Sequence, residues 1–172
     1  MVRQTPPANE AIANMQNHPY HQRLRAMYPG RRAGPSARRF ARVWAAVFSW
    51  GVLPRRWVTL EVHGRRTGRR TRFPLGMARW QGRWYLVSML GNECNWVANV
   101  RAADGHARLR RHSVLECTLC EVPVGERAPI LKQYLSEVPG ARAHIPVDRH
   151  APVELFETIA AQYPVFLVTA TA

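Results

Sequence analysis

The sequence predicts an α+β domain in which about six mostly antiparallel strands form a barrel over residues 57–172, with helices flanking it. Two observations carry this. Short runs that alternate apolar and polar residues are joined by glycine turns at 64–68, 81–82 and 104–105. Other stretches repeat apolar residues at helical spacing instead, such as Ile130, Leu131, Tyr134 and Leu135. A length of 172 residues with 47% hydrophobic content fits one globular domain.

Taken in order, residues 1–36 read as a flexible tail, because Pro6, Pro7, Pro19, Pro29, Gly30, Gly34 and Pro35 cut them into pieces too short for a core helix. No signal-peptide pattern stands there. Residues 37–56 read as a basic amphipathic helix. Phe40, Val43, Trp44, Val47 and Phe48 share one face, and Arg38, Arg39, Arg42, Arg55 and Arg56 flank them. The apolar stretch 43–53 falls short of the ~20 residues that cross a bilayer. Two placements stay open for this helix, an anionic membrane surface or packing across the barrel. Strands follow at 57–63, 72–80 and 84–89. Asn92 or Asn95 is placed to cap a helix that ends before Asp104-Gly105. Strands at 106–112 and 114–122, helices at 126–138 and 152–163, and a closing strand at 165–169 complete the domain.

Charge is concentrated toward the N-terminal side. The chain has a formal net charge of +14, with a single lysine, Lys132, among its 25 basic residues. Residues 1–111 hold 21 of these against Glu10, Glu61, Glu93 and Asp104, for +17; residues 112–172 hold four against seven acidic, for −3. The densest point is the turn 64–72, where Arg65, Arg66, Arg69, Arg70 and Arg72 crowd together. Such crowding needs an anion to offset its repulsion. Guanidinium forks suit phosphate and carboxylate, and Gly64 and Gly68 let the backbone turn with its amides left for a ligand. With no helix-turn-helix and no aromatic-plus-basic RNA signature, nucleic acid is not the expected partner.

Gly-Arg-Arg-Thr-Gly with Leu75 following at 64–75, Leu-Val-Ser-x-x-Gly at 86–91 and Trp-x-x-Asn-x-x-Ala at 96–102 resemble the deazaflavin-dependent nitroreductase and quinone reductase family. Met89, Asn95 and Thr71 depart from its usual residues. The resemblance implies a split β-barrel related to the flavin-mononucleotide-binding barrels and a reduced deazaflavin (coenzyme factor 420) as hydride donor. Flavin mononucleotide would be a poorer cofactor. The acceptor would be an electron-poor apolar molecule, a quinone or nitro compound. It implies cofactor contacts at Arg65, Arg66, Thr67, Gly68, Arg70, Arg72 and Pro74 on the hairpin, Ser88, Met89, Leu90 and Gly91 after the third strand, and Trp96 and Asn99 on the helix. Trp96 would supply an apolar wall and Asn99 one hydrogen bond. Tyr134 is implied as a proton donor, and association into homodimers is implied too. His144, on a proline-bordered loop able to form a lid, is a second candidate.

Three cysteines do not make a disulfide framework. Cys117 and Cys120 lie on a predicted strand, on opposite faces, and read as buried structural thiols, not metal ligands. A reducing cytoplasm is the natural setting. No catalytic triad or paired carboxylates stand out. The alternative reading is a non-catalytic split barrel that binds or stores deazaflavin, flavin or haem.

Overall fold

The computed structural model describes residues 56–171. The tail 1–36 and nearly all of the amphipathic stretch 37–56 therefore lie outside the described residues. Six strands, β1 (Trp57–His63), β2 (Arg70–Trp80), β3 (Arg83–Val87), β4 (His106–Arg111), β5 (Ser113–Glu121) and β6 (Val165–Ala170), close a barrel in the order β1-β2-β3-β6-β5-β4, every pair antiparallel. Three helices accompany them, α1 (Asn95–Ala102), α2 (Arg127–Glu137) and α3 (Val153–Glu157). The barrel expected from the alternating runs is thus present.

Two apolar layers hold it together. Inside, Val58, Leu60 and Val62 of β1 meet Met77, Leu86, Leu109, Leu119 and Phe166 from the other strands, and α1 adds Trp96, Val97 and Val100. Period-two alternation sends the opposite side chains outward. There, α2 lays Ile130, Leu131, Tyr134 and Leu135 over Ala78, Tyr85, Val87 and Val165. Gly76 is required by this packing, since a Cβ on it would stand 2.9 Å from Val138 Cγ2.

Some boundaries differ from the sequence reading. Strand β2 starts two residues early because Thr71 and Arg70 still pair with Val62 and His63. Strand β3 stops at Val87, since Ser88 N–H donates to Pro164 O and the chain turns, Gly91 N–H bonding Ser88 O. The helix expected over 152–163 is broken. Thr158 Oγ1 donates to Leu155 O at 2.8 Å, a back-bond that competes with the helical ladder, and the chain goes on as a 3-10 turn at Ala160–Gln162. Neither Asn92 nor Asn95 caps α1: the N-cap position falls on Cys94, with no side-chain bond. The Asn92 amide is already committed, donating to Ala161 O and Gln162 O. Cys117 is buried, as expected of a structural thiol, but Cys120 is exposed, since it lies on the face of β5 opposite the buried Cys117 and Leu119.

Candidate functional site

The arginine turn is built around one buried amide. Asn99, on α1, accepts from Arg65 N–H at 3.2 Å and Arg65 Nη1 at 3.0 Å, and its Nδ2 donates to Thr71 Oγ1 at 3.4 Å. Thr71 Oγ1 in turn donates to Val62 O. At 4% exposure Asn99 is a core polar residue with both ends of its amide engaged. It ties the β1–β2 turn to the helix.

Most of the turn's amides are not left for a ligand, which corrects the sequence expectation. Gly64 N–H bonds Arg69 O, Thr67 and Gly68 N–H both bond Gly64 O, and Arg69 N–H reaches Thr67 Oγ1 at 3.4 Å. Gly68 takes φ +64°, the left-handed region glycine tolerates without strain. Thr67 and Gly68 thus shape the turn, and anion-binding capacity comes from side chains. Arg65, Arg66 and Arg69 are exposed there. Arg69 belongs to the crowded turn but not to the cofactor contacts that the resemblance implies.

Arg70 and Arg72 point to the other face of β2, where they meet a group the sequence did not single out. Glu61, 1% exposed, accepts from Arg72 Nε at 2.9 Å and Arg110 Nε at 3.0 Å, with Arg70 Nη1 at 3.9 Å. Burial works against its ionisation, but the bond and charge of Arg110 and then those of Arg72 outweigh it and hold the carboxyl below its usual range. Part of the repulsion among the hairpin arginines is therefore relieved from within. A strand-period reading of Leu60-Glu61-Val62 gives only that Glu61 faces outward. That three guanidinium groups cover it depends on β2 and β4 lying on either side.

Beyond β3 the chain makes a buried turn. Ser88 Oγ donates to Gly91 O at 2.7 Å, and Gly91 adopts φ +90°. Cys94 lies against this turn. Burial pushes its thiol up, countered in part by hydrogen bonding to Ser88 and to the Leu90 backbone. Met89 and Leu90 are half-buried and pack on the outer and inner layers respectively, and Pro74 sits half-buried in β2 opposite Thr59. With no side chain capping it and no acidic residue in its first turn, the α1 N-terminus presents backbone amides, a setting that favours anions.

Other residues are placed away from this surface. Trp96 is 4% exposed, its ring 5.4 Å from that of Phe166, inside the barrel. Little of it remains to form a wall for a ligand. Tyr134 is 2% exposed, and burial, with Cys94 as a lesser cause, drives its phenol far above the ordinary value. Such a phenol is a poor acid near neutral pH. His144 follows the 3-10 turn Pro139–Ala143, half-buried, its carbonyl accepting from Tyr163 Oη at 3.1 Å. This segment is not built as a lid. Ala141, Ala143 and Ile145 are buried, and Arg142 pins it by donating to Leu135 O and Ser136 O.

Among the described residues, no group of three His, Cys, Asp or Glu is arranged to hold a metal, and no helix is long and apolar enough to cross a membrane.

Several solved structures are similar to this chain. A solved structure described as an F420-H2 dependent reductase (FDR-A) is 24% identical, with 69% of this chain and 97% of that one covered and a TM-score of 0.47. One described as a domain-swapped dimer is 22% identical, covering 78% and 96%, with a TM-score of 0.49. Atu2129 from Agrobacterium tumefaciens str. C58, of unknown function, is 10% identical, covering 78% and 55%, and its TM-score of 0.51 is a likeness of fold. No curated protein matches the chain. The family model for F420H(2)-dependent quinone reductase matches residues 42–158, more than half of the sequence and including the arginine turn, the Ser88–Gly91 turn and α1. With that span matched, the chain belongs to the F420H(2)-dependent quinone reductase family and is a deazaflavin-dependent oxidoreductase.

Proposed function

We propose that this protein passes a hydride from reduced deazaflavin to a small electron-poor apolar acceptor of the quinone type, and that the arginine turn with the α1 N-terminus is where the coenzyme's anionic part is held. The observation that carries this reading is the turn itself: three exposed guanidinium groups on a loop clamped to α1 by Asn99. The donor set fits the group. A phosphodiester and a poly-glutamate tail need forked cations and free amides, and both are offered within about one helical turn of each other along α1. When bound, the deazaflavin supplies the hydride, so the protein's own task is orientation and exclusion of water.

In this reading Arg65, Arg66 and Arg69 bind, while Asn99, Thr67 and Gly68 keep the turn in the binding shape. Arg70 and Arg72, shared with Glu61, extend the positive track along β2. Ser88 holds the turn that carries Met89, Leu90 and Gly91 toward the same end of the barrel. Tyr134 and His144 supply packing in place of a proton. A nitro compound is a second acceptor to assay beside a quinone.

The test is a fluorescence titration of the full chain with reduced deazaflavin and with flavin mononucleotide, followed by turnover with a soluble quinone such as menadione. Tighter binding of deazaflavin and quinone-dependent oxidation are expected. Equal affinity for the two cofactors, or no turnover, counts against the reading.

Two variants probe the turn. Arg66→Ala is expected to weaken deazaflavin binding by roughly 1–3 kcal/mol, the size of a charge-assisted contact, with the melting temperature nearly unchanged; unaltered affinity would remove Arg66 from the site. Asn99→Ala should loosen the turn, seen as faster amide hydrogen exchange over residues 64–69 together with weaker binding, because Arg65 N–H and Thr71 Oγ1 lose a buried partner. Protected amides in that variant would mean the turn holds itself.

Two readings rest on the family resemblance and on residues outside the described ones. Homodimers are tested by sedimentation velocity. A peripheral membrane role for residues 37–56, in a cytoplasmic enzyme, is tested by flotation with anionic and neutral vesicles, where salt-sensitive binding to the anionic kind alone is the expected outcome.

A further inference from the structure

Glu61 occupies the place on β1 where the charges of three arginines converge. Arg72 of β2 and Arg108 of β4 are its direct cross-strand partners, and Arg70 and Arg110 lie one step along those strands as diagonal neighbours. Such positions are within reach of long side chains. Arg108 is committed elsewhere, to Glu116. The other three guanidinium groups turn to Glu61, which is 1% exposed, although their own side chains are 34–61% exposed. An acid is thus buried beneath arginines that still face solvent.

The contacts leave those arginines able to bind something else. Arg72 and Arg110 each donate through Nε to the same oxygen, Oε1, at 2.9 and 3.0 Å. A guanidinium has five N–H donors, and among the described residues nothing takes the terminal Nη groups of these two. Their forks are left for an anion. The second carboxylate oxygen, Oε2, has no hydrogen bond, with Arg70 Nη1 at 3.9 Å, beyond bonding distance. A buried oxygen without a partner calls for a reason. An electrostatic role supplies one, since it needs the charge of Glu61 and not a second bond.

Given the reading above that this surface holds the coenzyme's anionic part, we propose that Glu61 is an internal counter-ion that limits how tightly Arg70, Arg72 and Arg110 hold the poly-glutamate tail of deazaflavin. Three guanidinium charges against one carboxylate leave +2 at this point, and removing the carboxylate charge leaves +3. A tail carboxylate on the outer Nη groups stands roughly 6–7 Å from the Glu61 carboxylate, two hydrogen-bond lengths and the width of a guanidinium away. The two anions repel. At that separation near a protein surface, and after screening by water and salt, the repulsion is worth about tenfold in affinity.

Glu61→Gln tests this, because the amide keeps an acceptor for both Nε groups while the charge is lost. The full chain and the variant are titrated by fluorescence with deazaflavin bearing its tail and with tail-less deazaflavin. The variant should bind the tailed form about tenfold more tightly and the tail-less form as before, and the gain should vanish in high salt. A merely structural residue would lower affinity when replaced, not raise it. In the unaltered chain, the Arg72 and Arg110 Nε–H resonances should shift with the tailed coenzyme and stay in place with the tail-less one, a measurement that decides the matter if the variant does not fold. Unchanged or weaker binding of the tailed form by folded Glu61→Gln, an equal gain for both forms, or Nε–H resonances that ignore the tail would each overturn the proposal. Those results would leave the tail on the arginine turn and remove Glu61 from its control, whereas equal affinity of the unaltered chain for both forms would take the tail off the arginines altogether.

Discussion

Trp96→Ala is expected to lower stability by about 3–5 kcal/mol, the usual loss when a buried tryptophan is truncated and a cavity remains. The ring is 4% exposed, meets Phe166 inside the barrel, and shares that layer with Leu60, Leu86 and Val97. At roughly 2–4 °C per kcal/mol for a domain of this size, the melting temperature should fall on the order of 10 °C. Thermal unfolding followed by circular dichroism measures this directly. The same variant separates two roles. Fully folded protein at low temperature should bind deazaflavin nearly as tightly as the unaltered chain if Trp96 is core. A large loss of affinity with little loss of stability would restore it as a wall of the site.

Glu61→Gln comes next. The substitution keeps the shape and removes the one charge that faces Arg70, Arg72 and Arg110. Breaking a fully buried pair costs about 3–5 kcal/mol, but these arginines are 34–61% exposed and screened by water, so a loss of roughly 1–3 kcal/mol is expected. The pH dependence identifies the cause. The folded carboxyl titrates below its unfolded value of about 4.3, so its contribution is complete above that pH and is lost as pH falls through the folded value. Denaturant midpoints measured between pH 7 and pH 3 should converge for the two proteins at the acid end. A constant gap across that range would show that packing, not charge, accounts for the difference.

Glu121 belongs to a second network of the same kind. It accepts from Arg101 Nη2 at 2.7 Å and from Arg127 Nη2 at 3.0 Å. Arg127, 6% exposed, also donates to Val122 O and Ala160 O, so it joins the start of α2 to the end of β5 and the 3-10 turn before β6. Arg101 Nη2 reaches Asn92 Oδ1 as well. The bond and charge of Arg101 are the main reason the Glu121 carboxyl lies below its ordinary range. The loop after Gly91 is thereby attached to the barrel through side chains from four different segments.

The strands, their turns and the helix α2 were legible in the residues themselves, because alternation, glycine turns and 3.6-residue spacing are local properties that a one-dimensional pattern carries. The concentration of arginine at 65–72 and the motifs around Ser88 and Trp96 were legible too, and they led to the family. Partnership was not. Glu61 reads as one outward strand residue, and only the closure of β1 between β2 and β4 surrounds it with three guanidinium groups. Asn99 reads as a residue on a helix face, and its role as the clamp of the arginine turn follows from how α1 lies against β1. Most of the turn amides, taken from the glycines as free, are used in bonds that form only when the hairpin closes and α1 lies against it. Tertiary structure also decided that Trp96 and Tyr134 are buried. Burial and hydrogen-bond satisfaction depend on what lies across a sheet or under a helix, and those neighbours are up to a hundred residues away along the chain.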